Sequence, residues 1–281
     1  MLAITGASGK LGRAVAAELL RRTSAAAVRL GTRSPDKLAS FGEAGAAIEA
    51  ADFEDRSSLE RLFNGCSVAL VISGDAPNGP RIRQHAAAFE AAKSAGVSRI
   101  VYTSFANPSP ESHFLVAPSH VESERMLRGL GVPFTILRNS LYGENIMIEA
   151  ARATGELVQP HSDGRAAYIG YADVARATAG ALLGNGHENR TYEVTGPEAV
   201  NHYEIAERLS AAWGRPIRAR NVTPEAYAEG LRGRGLPPFI VELLVSLHAA
   251  IGAEEYAPVS SDAAMLAGRA IEPVSAFLAR A

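Results

Sequence analysis

The sequence predicts an α/β protein in which helices cover both faces of a mainly parallel, doubly wound sheet. Short apolar runs alternate with segments whose apolar residues recur at helical spacing, which is the pattern of strand–helix–strand crossovers. The runs contain few polar residues, as expected for strands that are buried on both faces. The strands predicted in this way are 2–5, 28–31, 47–51, 68–73, 99–104 and 134–138.

Composition and charge narrow the functional class. The chain has 281 residues, of which 47% are hydrophobic and 21% charged, and a formal net charge of -2. No bulk attraction to nucleic acid or anionic lipid follows, so neither is an expected partner. The single cysteine, Cys66, has apolar neighbours and predicts a buried thiol; no metal site is predicted. No apolar run has membrane-span length and the N-terminus leaves no room for a signal peptide, so we expect a cytoplasmic protein.

A glycine-rich turn, Gly6-Ala7-Ser8-Gly9-Lys10-Leu11-Gly12, follows the first strand. Gly6 would let the chain reverse, Gly9 would leave room for a pyrophosphate, and Gly12 would let helix and strand approach closely. A helix that begins near Lys10 would direct its free N–H groups at the phosphates. This context predicts a Rossmann-type dinucleotide site. The predicted contacts are Gly6, Ala7, Ser8, Gly9, Lys10 and Leu11.

The end of the second strand favours NADP(H) over NAD(H). Arg33 stands where an acidic residue would bind the adenosine ribose of NAD, and no carboxylate follows until Asp36. A guanidinium offers charge and a planar donor fork to a 2′-phosphate. If Arg33 were only a solvated surface residue, NAD(H) would remain open.

Two further strand ends supply candidate cofactor contacts with open alternatives. Asp52 follows the third strand and is positioned to accept from an adenine amino group, but Asp52 or Asp55 could equally cap the next helix. Ser73 and Gly74 end the fourth strand. Gly74 would let the backbone approach the cofactor ribose, or it forms an ordinary turn.

The pattern changes after residue 140. The sequence predicts a strand at 190–195, a helix at 203–213, a strand at 217–222, and helices at 224–232 and 237–251. We therefore expect residues 1–140 to form the cofactor-binding core. Residues 141–281 would complete that core and add a small C-terminal α/β lobe that shapes the substrate pocket. The apolar helix 237–251 packs either on the domain or on another subunit, which leaves a homodimer open.

Taken together, these features resemble the NmrA-like branch of the atypical short-chain dehydrogenases/reductases, and within it the quinone-reductase and triphenylmethane-dye-reductase groups. The matching stretches are 5–12, Arg33, 51–53, 95–97, 102–104, 137–139, 142–145, 173–175 and 192–197. The resemblance implies NADPH bound by the glycine turn, by Arg33 and by 73–75. It also places 138–142 near the nicotinamide. The cofactor contacts it adds are Ser73, Gly74, Asp75, Thr103, Arg138, Asn139, Ser140, Leu141 and Tyr142.

The proton-transfer residues of typical short-chain dehydrogenases are missing from the expected positions. Those enzymes use a serine and then Tyr-x-x-x-Lys, but here Ser104 is followed by His120 and Glu124 at that spacing. A quinone or a triarylmethane cation needs no poised acid when it takes up hydride, whereas a simple ketone does. The sequence therefore favours a conjugated, electron-poor acceptor that is held against the cofactor.

Three residues are candidates for the reaction centre. His120 is either a proton donor or a structural residue bonded to Glu124 or to a backbone carbonyl. Asn139 and Tyr142 line the nicotinamide side or act as buried turn residues. The loop 107–112 is a lid or an exposed connection.

The predicted function is an NADPH-dependent reductase of quinones or similar aromatic small molecules. Two alternatives stay open: a tailoring enzyme for a polycyclic aromatic such as an anthraquinone, and a non-catalytic NADP(H)-sensing regulator.

Overall fold

The computed structural model describes residues 1–146 and 148–280, so the last residue of the predicted second part, 281, lies outside it. Its central feature is a parallel sheet of seven strands. The strands of the chain are β1 Leu2–Ile4, β2 Val28–Thr32, β3 Ala47–Ala50, β4 Val68–Ile72, β5 Arg99–Phe105, β6 Phe134–Asn139, β7 Glu156–Gln159, β8 Arg190–Val194 and β9 Arg218–Asn221. The seven-stranded sheet has the order β3-β2-β1-β4-β5-β6-β8, and a separate small sheet pairs β7 with β9 in parallel.

Helices occupy both faces of the large sheet. They are α1 Lys10–Arg22, α2 Ala39–Glu43, α3 Arg56–Phe63, α4 Asn78–Ser94, α5 Ala117–Gly129, α6 Ile148–Thr154, α7 Tyr171–Leu183, α8 His202–Trp213, α9 Pro224–Gly233, α10 Pro238–Gly252, α11 Asp262–Ala267 and α12 Val274–Leu278. Residues of α1, α7 and α11 form the core on one face, and α3, α4 and α5 cover the other. The predicted fold class is confirmed.

The strand order places the site. It runs outward in one direction from β1 to β3 and in the other from β4 to β8, so it reverses between β1 and β4. At such a reversal the connecting helices leave on opposite faces, and a crevice opens beyond the carboxyl ends of the strands. The glycine turn lies at this point because it directly follows β1.

Some expectations about individual elements were wrong. The strand β3 lies at the edge of the sheet, and its residues are exposed or half-buried, so it is not buried on both faces as expected. The sequence patterns also missed α2, α6, α7, α11, α12 and β7, all of which except α7 are short elements. The other predicted strands agree with the observed bounds to within one residue. Beyond residue 140, β8 adds the seventh strand and α7 packs on α1.

Cys66 is buried, as predicted, and burial raises the pKa of its thiol. None of the helices in the described ranges combines the length and apolar character needed to cross a bilayer.

Gly12→Ala should lower the free energy of unfolding by about 1–3 kcal/mol, as overpacking commonly does. A Cβ at Gly12 would lie 2.3 Å from the carbonyl oxygen of Gly6 and 2.7 Å from the Cα of Ala7, so helix and turn would have to separate. Gly230→Ala is the matched control, because a Cβ there meets nothing within 4 Å inside α9. Urea unfolding of both variants tests this, and equal stability of the Gly12 variant and the parent would contradict it.

Two buried histidines of the lobe should make the fold sensitive to mild acid. Burial lowers the pKa of His202 to about 4, and burial together with the charge of His202 lowers the pKa of His248 to about 3. Because both folded pKa values lie below the unfolded value, stability is full above about pH 6.5 and falls as the pH drops toward them, by up to about 1.4 kcal/mol per pH unit for each histidine. Urea unfolding at pH 7.5 and 5.5 should show a smaller loss for His202→Gln than for the parent. An identical loss would contradict this cause.

Candidate active site

A cleft of about 720 Å³ opens at the carboxyl ends of β1, β2, β4 and β5. One end lies against the glycine turn and the end of β2. The other end reaches the residues after β5, the start of α5 and the side of α10. The cleft therefore joins two ends that differ in chemistry.

The phosphate end is built by the glycine turn. Gly6 has a φ of +62°, in the left-handed region that favours glycine, and a Cβ at Gly9 would already press on the carbonyl oxygen of Gly6 at 3.3 Å. Gly9 begins α1 without a side-chain cap, so N–H groups of the first turn are left for an outside partner. These features suit a pyrophosphate, and they confirm the conformational roles predicted for Gly6 and Gly12.

Ala7 departs from its predicted role. Its side chain is fully buried, and its N–H donates to the carbonyl oxygen of Gly31 at 3.0 Å. This bond joins the turn to β2, so the N–H is not available to a phosphate. The sequence analysis did not identify Gly31 as a required glycine. A Cβ added at this position would lie 2.5 Å from Leu62 Cδ2, so a larger residue would not fit.

Arg33 lines the cleft, and its guanidinium is free to bind a ligand. It is exposed, and within the described ranges no hydrogen bond or ion pair holds it. Lys10 also lines this end and is exposed. Two free cations beside an uncapped helix start form a site for a group with several negative charges.

The structure separates the two roles that the sequence left open after β3. Asp55 caps α3, because its side chain accepts from the N–H groups of Ser57 and Ser58. Asp52 lines the cleft, and within the described ranges its Oδ1 accepts only from the N–H of Glu54, at 3.1 Å. Asp52 therefore keeps oxygen lone pairs for a bound molecule.

Asp55→Ala should destabilise the fold by about 1 kcal/mol through loss of the cap, with no change in NADPH affinity. Asp52→Ala should do the opposite and weaken NADPH binding by about 10-fold, the lower end of the range for a hydrogen bond to a charged group. Urea unfolding and NADPH fluorescence titration of the two variants check this. Loss of affinity in the Asp55 variant alone would reverse the assignment.

The other end of the cleft is aromatic and apolar. Phe105 packs against Phe114, with ring centroids 4.9 Å apart, and Leu243 of α10 closes the wall. The C-terminal end of the loop 107–112 is anchored to the segment after α10. The Glu255 carboxylate accepts from the N–H of His113 at 2.8 Å and from the Ser112 hydroxyl. This end of the cleft is thus lined by residues after β5 and by α10 of the C-terminal part.

Glu124 belongs to a buried charge network and not to His120. Arg138 donates to its two oxygens at 2.9 and 2.8 Å, and the Ser104 hydroxyl donates to Oε1 at 2.8 Å. Burial opposes the charge of Glu124, but these bonds outweigh it, so the pKa of the carboxyl lies below its ordinary value. The Ser104 proton is committed to Glu124, and Arg138 is turned away from the cleft toward Glu124 and Glu193.

His120 lies on the cleft wall, is 3% exposed, and contacts Tyr102 rather than Glu124. The Tyr102 hydroxyl is 2.9 Å from His120 Nδ1 and 3.3 Å from His85 Nδ1. Burial, with the positive charge of Arg81, holds the pKa of His120 well below its ordinary value. His120 is therefore a neutral imidazole at neutral pH, which corrects the expected pairing with Glu124.

The hydrogen bonds around Tyr102 favour one position for the proton of His120. The Ser123 hydroxyl donates to the Ser119 carbonyl at 2.6 Å, so its oxygen must accept from His85 Nδ1, 2.7 Å away. His85 Nδ1 then has no lone pair for Tyr102, and the Tyr102 hydroxyl donates to His120 Nδ1 instead. We assign the remaining proton to His120 Nε2, the nitrogen left for a bound molecule.

Asn139 and Tyr142 form one unit. Tyr142 lines the cleft, and its hydroxyl accepts from Asn139 Nδ2 at 3.1 Å. Asn139 is fully buried behind it, and its Oδ1 has no partner within the described ranges. Tyr142 is placed to contact a bound molecule directly, whereas Asn139 orients Tyr142.

The cleft brings together most of the predicted side chains. Those that line it are Gly6, Ser8, Gly9, Lys10, Leu11, Arg33, Asp52, Ser73, Gly74, Asp75, Thr103, His120 and Tyr142. Five do not: Ala7, Arg138, Asn139, Ser140 and Leu141. Ser140 and Leu141 are buried. Among the described residues, no group of His, Cys, Asp or Glu is arranged to hold a metal ion.

Sequence reasoning missed several lining residues. The main ones are Phe53, Arg81, Gln84 and Tyr171. Phe53 directly follows the predicted Asp52 and could have been included on that ground. Arg81 and Gln84 lie within α4, where no local signal marks the face that meets the cleft.

The fold and this cleft define a dinucleotide-binding protein of the Rossmann type, with a basic end at the glycine turn and an aromatic end beyond β5. The model of the NmrA-like family matches residues 1–276, and the chain belongs to that family. The resemblance read from the sequence is confirmed.

Named relatives are similar along most of their length. Quinone oxidoreductase 2 of Escherichia coli (strain K12) is 34% identical over 248 residues, covering 87% of this chain and 85% of that protein. NAD(P)H azoreductase of Xenophilus azovorans is 27% identical over 279 residues, covering 99% and 96%.

Two solved structures share the whole fold. The NADPH-dependent quinone oxidoreductase from Escherichia coli, complexed with NADPH, has a TM-score of 0.94 and 30% identity, covering 100% of this chain and 99% of that chain. The triphenylmethane reductase of Citrobacter sp., complexed with NADP(H), gives the same TM-score, identity and coverage.

Proposed function

We propose that this protein is an NADPH-dependent reductase that transfers hydride to a quinone or a similar conjugated aromatic acceptor. It is an NAD(P)H-dependent oxidoreductase, and its relatives include a quinone oxidoreductase and an azoreductase. Bound NADPH would supply the hydride. The glycine turn and Arg33 would hold its phosphates, and Asp52 its adenine.

The observation that carries the choice of acceptor is the state of His120, Glu124 and Ser104. A neutral histidine and a carboxylate occupied by Arg138 replace the acid pair of typical ketone reductases, and the Ser104 proton is committed. Such a site cannot deliver a proton to an alkoxide efficiently. It can hold an acceptor whose reduced form is stable, and a quinone has this property.

The acceptor end supports the same choice. Phe105, Phe114 and Leu243 offer apolar surface to a flat ring, and the Nε2–H of His120 offers one hydrogen bond to a ring oxygen. The chain thus orients the acceptor and excludes water, and it does little acid–base chemistry.

NADPH oxidation at 340 nm tests the proposal directly. The protein should oxidise NADPH in the presence of 1,4-quinones, with NADH a poorer donor, and should also bleach a triarylmethane dye. Tight NADPH binding without turnover on any acceptor would instead favour the sensing regulator. Turnover limited to an anthraquinone-like substrate would favour the tailoring enzyme.

We further propose that the enzyme works in the cytoplasm and forms a homodimer. Partly exposed apolar residues of α10, such as Leu244 and Val245, support a self-association surface. Light scattering of the purified chain tests the dimer.

A further inference from the structure

Arg81 is a buried arginine without a carboxylate partner. It lies in the first turn of α4, is 5% exposed, and lines the cleft. Its Nε donates to the Ala76 carbonyl at 2.8 Å, and within the described ranges this is its side chain's one hydrogen bond. Asp75, whose charge reaches it, is exposed and forms no ion pair with it. An unpaired buried charge is unfavourable, so a ligand is its expected partner.

The free end of Arg81 faces the cleft. The protein does not fully enclose the two terminal nitrogens of Arg81. No protein group in the described ranges forms a hydrogen bond with either of them. In a residue that lines the cleft, these nitrogens are therefore open to a bound molecule. The guanidinium offers a rigid fork of donors that keeps its charge at any working pH.

Arg81 belongs to the acceptor end and not to the phosphate end. The start of α4 is tied to the segment before α5, because Asn78 Nδ2 donates to the Leu115 carbonyl at 2.8 Å. The charge of Arg81 is felt by Tyr102, His85 and His120, which are the residues that fix the Nε2–H donor. The phosphate end is already served by the α1 start, Lys10 and Arg33.

We propose that Arg81 binds the acceptor oxygen that becomes negatively charged and thereby selects acceptors that are reduced to oxyanions. This inference rests on the proposed reductase function. As a C–H bond of NADPH breaks, the hydride forms an O–H bond at one quinone oxygen, and the displaced π electrons leave the negative charge on the other oxygen, which gives NADP+ and the hydroquinone anion. One proton from water then completes the hydroquinone. Arg81 stays charged throughout and gives up no proton, while the Nε2–H of His120 is a second donor to the same molecule.

A cationic acceptor reverses the sign of this effect. A triarylmethane cation loses its charge when it takes up hydride and never carries an oxyanion. Arg81 repels its ground state and stabilises nothing in its product. Quinones and cationic dyes therefore report on Arg81 in opposite directions, although both use the same cofactor and cleft.

The test uses Arg81→Met and Arg81→Lys, with Arg83→Met as the matched control. Arg83 is on the same helix but is exposed and does not line the cleft. With a neutral naphthoquinone, Arg81→Met should lower kcat/KM by about 100-fold, mainly in kcat, as loss of one preorganised oxyanion donor does. Arg81→Lys should recover part of this. Reduction of the cationic dye should stay equal or rise, and NADPH affinity should be unchanged.

An equal loss on both acceptors, or no loss with the quinone, would overturn the proposal. A binding experiment that needs no turnover tests the role of Arg81 separately from the reductase proposal. Calorimetry should show that Arg81→Met weakens binding of the 2-hydroxy-1,4-naphthoquinone anion by about 10-fold, the effect of one charged hydrogen bond. If the parent protein oxidises no NADPH, the reductase proposal fails. The binding experiment still tests Arg81 in that case, because unchanged binding of the anion by Arg81→Met would overturn the proposed role.

Discussion

His120→Phe is expected to lower kcat for quinone reduction by about 100-fold while leaving reduction of a cationic triarylmethane dye within a few-fold of the parent. Phenylalanine keeps the aromatic wall beside Phe105 but removes the Nε2–H donor. That donor interacts most strongly as charge develops on the quinone oxygen, so the loss should fall on kcat rather than KM. Stopped-flow measurement with both acceptors checks the prediction.

Tyr102→Phe is the matched control for this prediction. It keeps His120 in place but removes the hydroxyl that donates to Nδ1. The ring is then free to place its proton on Nδ1, so we expect a smaller loss of about 10-fold, with partial retention of the donor. Because the pKa of His120 lies well below its ordinary value, the parent rate should be flat between pH 6 and 8. A sigmoid with a midpoint near pH 6.5, or equal loss with both acceptors, would contradict the neutral-donor role.

Arg33→Ala is expected to raise the Kd of NADPH by about 10- to 100-fold, the range for hydrogen bonds to a charged group, and to change the Kd of NADH by less than about threefold. The guanidinium is uncommitted in the described structure, so its removal should disturb no internal bond. The loss should therefore report only the missing contact with the 2′-phosphate.

Arg13→Ala provides the comparison for Arg33. Arg13 is also near the turn, but its guanidinium is bound to the Ser8 and Lys37 carbonyls. Its loss should weaken both dinucleotides alike. Fluorescence titration with NADPH and NADH distinguishes the two variants, and an equal effect of Arg33→Ala on both dinucleotides would exclude a phosphate-specific role.

The sheet and the glycine turn were predictable because their signals are local. Buried parallel strands leave apolar runs in the sequence, and the positive φ of Gly6 and the crowding at Gly12 each require glycine. Arg33 and Asp52 could be placed at the cleft because each directly follows a strand whose carboxyl end had to face it. Strand ends thus located most of the cofactor side.

The acceptor side depends on contacts that no local pattern encodes. Arg138 ends a strand as Arg33 does, yet it pairs with Glu124 across the sheet face. The partner of His120 is Tyr102, which lies on β5, and not Glu124 one helical turn away. Arg81 looks like an ordinary surface residue near a helix start, and its burial comes from tertiary packing that no local pattern encodes.

The central claim, hydride transfer from a dinucleotide in this cleft to a quinone, is tested most directly by a single turnover. The protein, in excess over NADPH deuterated at the transferred position, would be mixed rapidly with a naphthoquinone and followed at 340 nm. We predict one exponential loss of all bound NADPH, slowed severalfold relative to unlabelled NADPH, with one hydroquinone formed for each NADPH consumed. Bound NADPH that persists unchanged in the presence of every acceptor would contradict the claim.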